Sequence, residues 1–162
     1  METAEKEQLY EPILAAIRVE LSKVHEAALI YKFLVDQLSK IPYFDWTGVY
    51  LLNPVKQELY LCYYVGKPTE HVIIPVGKGV CGSAVAEHTD KIIEDVTKEE
   101  NYLACSLETR SEIVILLEKD GEILGQIDID SDEFGAFDET DRKYLRKIAK
   151  IIVKKVVKYD SL

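Results

Sequence analysis

The spacing of hydrophobic residues changes along the chain, from a helical period to an alternating one and back. In residues 1–41, apolar side chains recur every three or four positions, which predicts two helices separated by a break at 22–25. Pro12 is expected at the first position of the first helix, where proline is well tolerated. Residues 138–159 are predicted to form the C-terminal helix, with Asp138 as its N-cap.

Residues 44–137 are predicted to form a sheet together with the loops that carry the site. Alternation predicts strands at 46–52, 58–65, 71–76, 91–96, 112–118 and 122–130. The pair Asp120-Gly121 is typical of a tight hairpin between the last two strands. A short helix of small residues is expected after the third strand. Helices flanking an antiparallel sheet indicate an α+β fold, in a single domain that spans 1–162.

Composition narrows the choice of partners. The net charge of −9 at pH 7 argues against nucleic acid and anionic membranes, and no apolar run approaches the roughly 20 residues that a membrane span needs. The first residues do not form a signal peptide, so the three cysteines are expected to be reduced thiols in the cytoplasm. The wide apolar faces of the terminal helices fit a homodimer interface or simple core packing equally well.

The segment QIDID, 126–130, places acidic side chains on one face of a strand. Alternation sends Gln126, Asp128 and Asp130 to one side, with the two aspartates about 6.6 Å apart along the strand. Aspartate is a poor strand residue. The pair therefore indicates a functional site, unless this face of the sheet is simply exposed to solvent.

Two aromatic residues flank a glycine in the first predicted strand. Trp46, Gly48 and Tyr50 share one face, and the glycine leaves a gap that the aromatic rings could wall. Glycine within a strand often marks the close approach of a ligand or of another backbone segment. An aromatic pair that only covers the core is an equal alternative.

The three cysteines differ in their surroundings. Cys105 lies in a polar loop, where the usual buried and inert cysteine is not expected. Cys81 stands near the start of the short helix, a position that lowers the pKa of a thiol, although a tight packing contact is the simpler interpretation. Cys62 lies between tyrosines on a strand and is expected to pack. The spacing of cysteine and histidine does not match a zinc site, so no metal site is expected.

Four segments together resemble the free methionine-(R)-sulfoxide reductases, small enzymes built on a GAF domain. The segments are GKGVCGSA at 77–84, KIIEDV at 91–96, LACSLETRSEIV at 103–114 and GQIDIDSDEFGAFDETD at 125–141. The separation of Cys81 and Cys105, 105 − 81 = 24 residues, matches the family's spacing. A GAF fold alone would say little about activity. The cysteine spacing combined with SEIV and DID is a much more specific indication of activity than the fold.

The resemblance implies a reaction and a role for each matching residue. The reaction is the reduction of free L-methionine-(R)-sulfoxide to methionine by a cysteine thiolate, through a sulfenic acid. Cys105 matches the catalytic nucleophile. The acidic groups around the sulfoxide, which are both catalytic and substrate-binding, correspond to Glu112, Asp128 and Asp130. The aromatic walls around the substrate's methyl end correspond to Trp46 and Tyr50. No bound cofactor is implied, and an external thiol, either thioredoxin or a small-molecule thiol, supplies the electrons.

The chain departs from the family pattern at residue 71. Many members carry a resolving cysteine ten residues before the position of Cys81, and this chain has His71 there. Either Cys81 resolves the sulfenic acid of Cys105, or an external thiol attacks it directly. Ser106 is a second departure, because an aspartate commonly follows the catalytic cysteine.

Two other functions are compatible with the sequence. One is a non-catalytic GAF module that binds a small regulatory ligand such as a cyclic nucleotide or a tetrapyrrole. The other is a thiol redox sensor in which peroxide oxidises Cys81 and Cys105. Comparing sulfoxide with peroxide as the oxidant would separate the sensor from the reductase, and the absence of sulfoxide-dependent thiol consumption would favour the binding module.

Overall fold

The computed structural model describes residues 1–103 and 106–156, and in this part of the chain a six-stranded antiparallel sheet lies between helices. The helices are α1 (Thr3–Leu21), α2 (Ala27–Leu38), α3 (Gly79–Glu87) and α4 (Glu139–Val153). The strands are β1 (Trp46–Asn53), β2 (Glu58–Val65), β3 (Ile73–Pro75), β4 (Lys91–Ile93), β5 (Ser111–Lys119) and β6 (Glu122–Ser131). They are arranged in the order β3-β2-β1-β6-β5-β4. The predicted α+β class is confirmed.

The terminal helices α1 and α4 pack together with α2 on one face of the sheet. Alternate residues of the central strands, such as Ile113, Ile115 and Ile127, are fully buried there against Leu145 and Ile148 of α4. Burying one such side chain contributes about 1.5–3 kcal/mol. This face therefore contains the main hydrophobic core, and the opposite face is left to carry the site.

The start of α1 differs from the prediction, because the helix begins at Thr3 and Pro12 lies inside it. The physical reason is a buried polar cluster that joins α1 to α4. Lys6 forms an ion pair with Asp141, and the hydroxyls of Tyr10 and Tyr43 donate to the same carboxylate at 2.7 and 2.6 Å. A buried charge is tolerated when it is paired and hydrogen-bonded. This cluster stabilises a polar first segment that hydrophobic spacing alone would leave out of the helix.

Other boundaries shift by a few residues. Asp138 is the N-cap of α4 and accepts a hydrogen bond from the N–H of Thr140 at 2.8 Å, as predicted, but the helix ends at Val153 rather than at 159. Residues 157–162 lie outside the described part of the chain. Strands β3 and β4 are three residues each, and Val96–Lys98 forms a 3₁₀ turn in place of the end of the predicted strand.

The hairpin between β5 and β6 has the predicted tight turn. Asp120 and Gly121 have φ values of 53° and 79°, the left-handed conformation that two-residue hairpin turns require. The turn starts the pairing of β5 with β6, and an irregularity between Leu117 and Glu118 then shifts the register in which their side chains lie opposite each other. Among the helices in residues 1–103 and 106–156, none is long and apolar enough to cross a membrane.

Candidate active site

Cross-strand pairing brings residues from three strands into two adjacent rows on the face of the sheet that carries α3. In the first row, Asp130 of β6 lies between Trp46 of β1 and Glu112 of β5. In the second row, Asp128 lies opposite Gly48. Residues directly opposite each other have Cβ atoms about 4.5–5.5 Å apart. The register therefore places three carboxyl groups and an indole ring side by side.

All three carboxylic side chains are buried. The exposed fractions are 0% for Asp128, 1% for Asp130 and 4% for Glu112. The alternative that the acidic face of QIDID is simply exposed to solvent is therefore wrong. Removing a carboxylate from water is costly unless the group is paired or protonated, so a buried cluster of this kind indicates a functional site.

Burial raises the pKa of Glu112 well above its usual value, and the carboxylates of Asp128 and Asp130 raise it further. The thiol of Cys81 opposes this rise, since its Sγ lies 3.8 Å from Oε1 of Glu112. Burial also raises the pKa of Asp128, while its neighbours Glu112 and Cys81 act in the opposite direction as hydrogen-bonding groups. The pair of Glu112 and Asp128 therefore retains a proton more readily than exposed carboxyl groups would.

Cys81 lies in the first turn of α3 and is 4% exposed. One atom from each of Cys81, Glu112 and Asp128 lies within 4.8 Å of the others. The helix packs closely on β3, because a Cβ atom at Gly82 would lie 2.6 Å from the carbonyl oxygen of Pro75. The tight contact considered for Cys81 is present, and the same contact holds the thiol against the acidic cluster.

The indole of Trp46 lies across Gly48. A Cβ atom at residue 48 would be 2.4 Å from Cη2 of Trp46, so only glycine allows the ring to lie flat on the strand. Tyr64 stacks on the indole with ring centroids 5.5 Å apart. The predicted gap between Trp46 and Tyr50 is thus filled by the indole itself, and the centroids of these two rings are 6.4 Å apart.

Both aromatic residues also hold the segment between β2 and β3. The Nε1–H of Trp46 donates to the carbonyl oxygen of Lys67 at 3.1 Å, and the hydroxyl of Tyr50 donates to the carbonyl oxygen of His71 at 2.7 Å. Lys67 forms an ion pair with Glu108, which follows Cys105 by three residues in the sequence. Tyr50 is fully buried, and its hydrogen bond to His71 supports the segment between β2 and β3.

Two cavities border these side chains. The larger, about 110 Å³, is lined by Asp45, Trp46, Lys67, Ser106, Thr109, Asp130 and Asp132. The smaller, about 10 Å³, is lined by His71, Ile74, Gly79, Val80, Cys81, Leu103, Glu112 and Asp128. Cys105, the predicted nucleophile, lies outside the described residues together with Ala104. Leu103, which precedes this pair, lines the smaller cavity, and Ser106, which follows it, lines the larger one.

Five of the predicted site residues fall into two groups, whereas Tyr50 is in the lining of neither cavity. Trp46 and Asp130 border the larger cavity, whereas Cys81, Glu112 and Asp128 border the smaller one. Cys62 is exposed on β2, which corrects the expectation that it packs.

The stacking partner Tyr64 and the ion pair of Lys67 with Glu108 were not predicted. Tyr64 pairs with Gly48 across β1 and β2, so the alternation of β2 carried a signal for its position. The ion pair joins segments 41 residues apart in the sequence, and no local pattern indicates it.

Comparisons of the sequence and of the fold with known proteins find the same kind of relative. No protein-family model matches the sequence. The chain is 37% identical over 151 residues to GAF domain-containing protein A of Dictyostelium discoideum, covering 91% of this chain and 92% of that protein. It is 40% identical over 122 residues to the free methionine-R-sulfoxide reductase of Escherichia coli, covering 75% of this chain and 68% of the relative.

A solved structure extends this similarity to the fold. The X-ray structure of free methionine-R-sulfoxide reductase from Neisseria meningitidis in complex with its substrate superposes with a TM-score of 0.88 at 34% identity, and the match covers 93% of this chain and 89% of that one.

Proposed function

Since the chain belongs to the family of free methionine-R-sulfoxide reductases and is an oxidoreductase of that type, we propose that the Cys105 thiolate is its nucleophile. The observation that carries this proposal is the buried carboxyl cluster of Glu112, Asp128 and Asp130 beside Trp46. The sulfur of a sulfoxide is a poor electrophile until its oxygen is protonated or hydrogen-bonded. A neutral acid that faces this oxygen is therefore required, and the raised pKa of Glu112 suits it to this role.

In the proposed reaction, the thiolate of Cys105 attacks the sulfur of the sulfoxide while Glu112 donates a proton to the sulfoxide oxygen. The attack forms a sulfur–sulfur bond. The oxygen then passes from the substrate sulfur to the cysteine sulfur as the sulfur–sulfur bond and the substrate's sulfur–oxygen bond break, which leaves a sulfenic acid on Cys105 and releases methionine. The substrate sulfur is reduced by two electrons and the cysteine sulfur is oxidised by two. Asp128 and Asp130 raise the pKa of Glu112 and so keep the acid protonated.

The larger cavity is proposed to receive the substrate, with the sulfoxide oxygen directed past Asp130 towards Glu112, which lies opposite Asp130 across β5 and β6. Trp46 provides an apolar surface for the methyl end. Asp130 borders the same cavity with two further aspartates, against the single cation of Lys67, and an acidic lining of this kind suits the ammonium group of a free amino acid. A pocket that encloses both charged ends of the amino acid excludes a methionine sulfoxide within a peptide chain.

The sulfenic acid must then be reduced. An external thiol forms a mixed disulfide with Cys105 and releases water, and a second thiol displaces the cysteine. The burial of Cys81 and its contact with Glu112 favour this external route over a disulfide between Cys81 and Cys105. The reductant is thioredoxin or a small-molecule thiol, and no bound cofactor is needed.

The location and the oligomeric state of the enzyme are also part of the proposal. Reduced thiols are maintained in the cytoplasm, which we propose as the location of the protein. A homodimer through the terminal helices is proposed as well, and the molar mass in solution would test it.

The reaction is tested by supplying the purified enzyme and a thiol reductant with four oxidants: the R and S epimers of free methionine sulfoxide, a peptide-linked R-sulfoxide, and hydrogen peroxide. Only the free R epimer is expected to yield methionine. Oxidation by peroxide without methionine production would identify a redox sensor. Absence of thiol consumption with every oxidant would indicate a ligand-binding module.

The acidic residues are tested by neutral substitutions of similar shape. Glu112→Gln and Asp130→Asn should each lower kcat/KM by about 100-fold or more, as expected for loss of an acid catalyst or its partner. Glu133→Gln is the matched control, because Glu133 is exposed on the surface just after β6. A similar loss in the control would mean that overall charge, rather than the placed acids, determines the rate.

A further inference from the structure

Among the described residues that line the larger cavity, Lys67 is the one cation, and it is already paired. It lines the cavity together with the aspartates Asp45, Asp130 and Asp132. Its ammonium group forms an ion pair with Glu108. We propose that Lys67 binds the α-carboxylate of the amino-acid substrate and that Glu108 is an internal competitor for the same position. This inference rests on the proposed function in placing methionine sulfoxide in this cavity.

The charge of the protein disfavours binding of an anionic group without a cation. The chain has a net charge of −9 at pH 7, and the three aspartates add negative potential around the cavity. Such a lining attracts the ammonium end of a free amino acid and repels its carboxylate. A carboxylate that leaves water needs an ion pair or hydrogen bonds. Lys67 provides both, since its ammonium group is a charge and a hydrogen-bond donor.

The backbone of Lys67 is held against the indole of Trp46. The Nε1–H of Trp46 donates to the carbonyl oxygen of Lys67 at 3.1 Å. The preceding residue, Gly66, has a φ of 137°, and a Cβ atom there would lie 2.6 Å from Cδ1 of Trp46. These contacts fix where the side chain of Lys67 begins, while the side chain itself is 61% exposed and can exchange partners.

The pair of Lys67 with Glu108 is of the kind that exchanges easily. Both side chains are largely exposed, and exposed ion pairs contribute little to stability. Glu108 lies between Ser106 and Thr109, which both line the cavity. Its carboxylate therefore reaches Lys67 from a segment that borders the proposed position of the substrate. A substrate carboxylate that displaces Glu108 replaces one ion pair by another of the same charge type.

The consequence is selection for a free amino acid. A methionine sulfoxide inside a peptide chain has an amide in place of the α-carboxylate, so it cannot displace Glu108 from Lys67. The aspartates and Lys67 bind opposite ends of the same zwitterion, and a ligand that lacks either charged end loses part of its affinity.

Binding is tested by isothermal titration calorimetry in Cys105→Ser, which removes the proposed nucleophile. The ligands are L-methionine-(R)-sulfoxide and its amide, which keeps the ammonium and the sulfoxide but has no carboxylate. Lys67→Met should raise the Kd of the acid about tenfold or more, as expected for loss of a hydrogen bond between charged groups, and leave the Kd of the amide unchanged. Equal effects on both ligands, or no effect on either, would overturn the role of Lys67.

Two matched variants accompany Lys67→Met. Lys67→Arg keeps the charge and should retain the preference for the acid over the amide. Lys119→Met removes a charge from an exposed lysine at the hairpin end of β5 and should change neither Kd. A loss of affinity for the acid in Lys119→Met equal to that in Lys67→Met would mean that net charge, and not a placed cation, determines binding.

The role of Glu108 as a competitor predicts a change in the opposite direction. Glu108→Gln should lower the Kd of the acid severalfold and leave that of the amide unchanged, whereas Glu133→Gln, which removes the same charge from an exposed position, should change neither. When Lys67→Met is also present, Glu108→Gln should have no further effect. Tighter binding of the acid by Glu108→Gln in the absence of Lys67 would reject competition for this lysine.

Turnover separates this inference from the proposed function. With Cys105 intact and a thiol reductant present, Lys67→Met should raise KM for the free sulfoxide about tenfold or more and leave kcat unchanged, because the lost contact is equal in the ground state and the transition state. If the wild type forms no methionine, the proposed function fails, and the calorimetric comparison still decides whether Lys67 binds the carboxylate. If Cys105→Ser does not bind methionine sulfoxide at all, the inference itself fails.

Discussion

The proton on Glu112 should affect the stability of the protein as well as its activity. The pKa of Glu112 is raised well above its usual value in the folded protein, whereas an unfolded chain has the ordinary value of about 4.3. Between these two values the folded state binds one proton more than the unfolded state. The free energy of unfolding therefore decreases as pH rises, by about 1.4 kcal/mol per pH unit from this group. The contribution is fully present below the unfolded pKa and is lost as pH rises through the folded pKa.

Glu112→Gln replaces the acid with a neutral amide of similar shape and should remove this slope. Each pH unit between the unfolded and the folded pKa corresponds to about 1.4 kcal/mol, so the variant should gain stability relative to the wild type as pH rises above the unfolded pKa. The measurement is urea unfolding at pH 5, 6 and 7, with the free energy obtained by linear extrapolation. Glu133→Gln, at an exposed position, should keep the wild-type slope. If the curves of wild type and Glu112→Gln are parallel over this range, Glu112 is already ionised and cannot be the acid proposed here.

Three further predictions concern the thiols and the aromatic wall. Cys105→Ser should abolish methionine formation, because a serine hydroxyl is a far weaker nucleophile than a thiolate, while Cys62→Ser should retain wild-type activity; the reverse result would reject Cys105 as the nucleophile. Gly48→Ala should raise KM severalfold by displacing the indole of Trp46, whose Cη2 would lie 2.4 Å from the new methyl carbon, and an unchanged KM would mean that the ring does not contact substrate. Mass spectrometry after one turnover without reductant should detect a sulfenic acid trapped on Cys105. A quantitative disulfide between Cys81 and Cys105 would instead show that Cys81, and not an external thiol, resolves the sulfenic acid.

The strand face of the acidic residues could be predicted because it depends on local periodicity. Alternation in QIDID placed Asp128 and Asp130 on one side, and the register confirms this arrangement. Their burial could not be predicted from the strand itself. It depends on α3 and on loops that are distant in sequence, so an exposed face and a buried site gave the same local pattern.

The start of α1 illustrates a different limit. A lysine such as Lys6 is expected at the surface, yet only 3% of its area is exposed because Asp141 of α4 pairs with it. Such an anchor depends on two residues 135 positions apart, and hydrophobic spacing carries no information about it. The position of Trp46 over Gly48 is similar, since the sequence shows the glycine but not that the neighbouring indole fills its space.

Trp46 is the only tryptophan in the chain, and it borders the cavity proposed to receive the substrate. Its ultraviolet emission therefore comes from a single, known position, without the background that several indoles would add. Because indole fluorescence responds to polarity and to nearby quenching groups, a titration with methionine sulfoxide can report occupancy of the cavity before any chemistry takes place. The fluorescence of Trp46 in the unlabelled protein can thus be used to measure the rate of substrate binding separately from the rate of thiol oxidation.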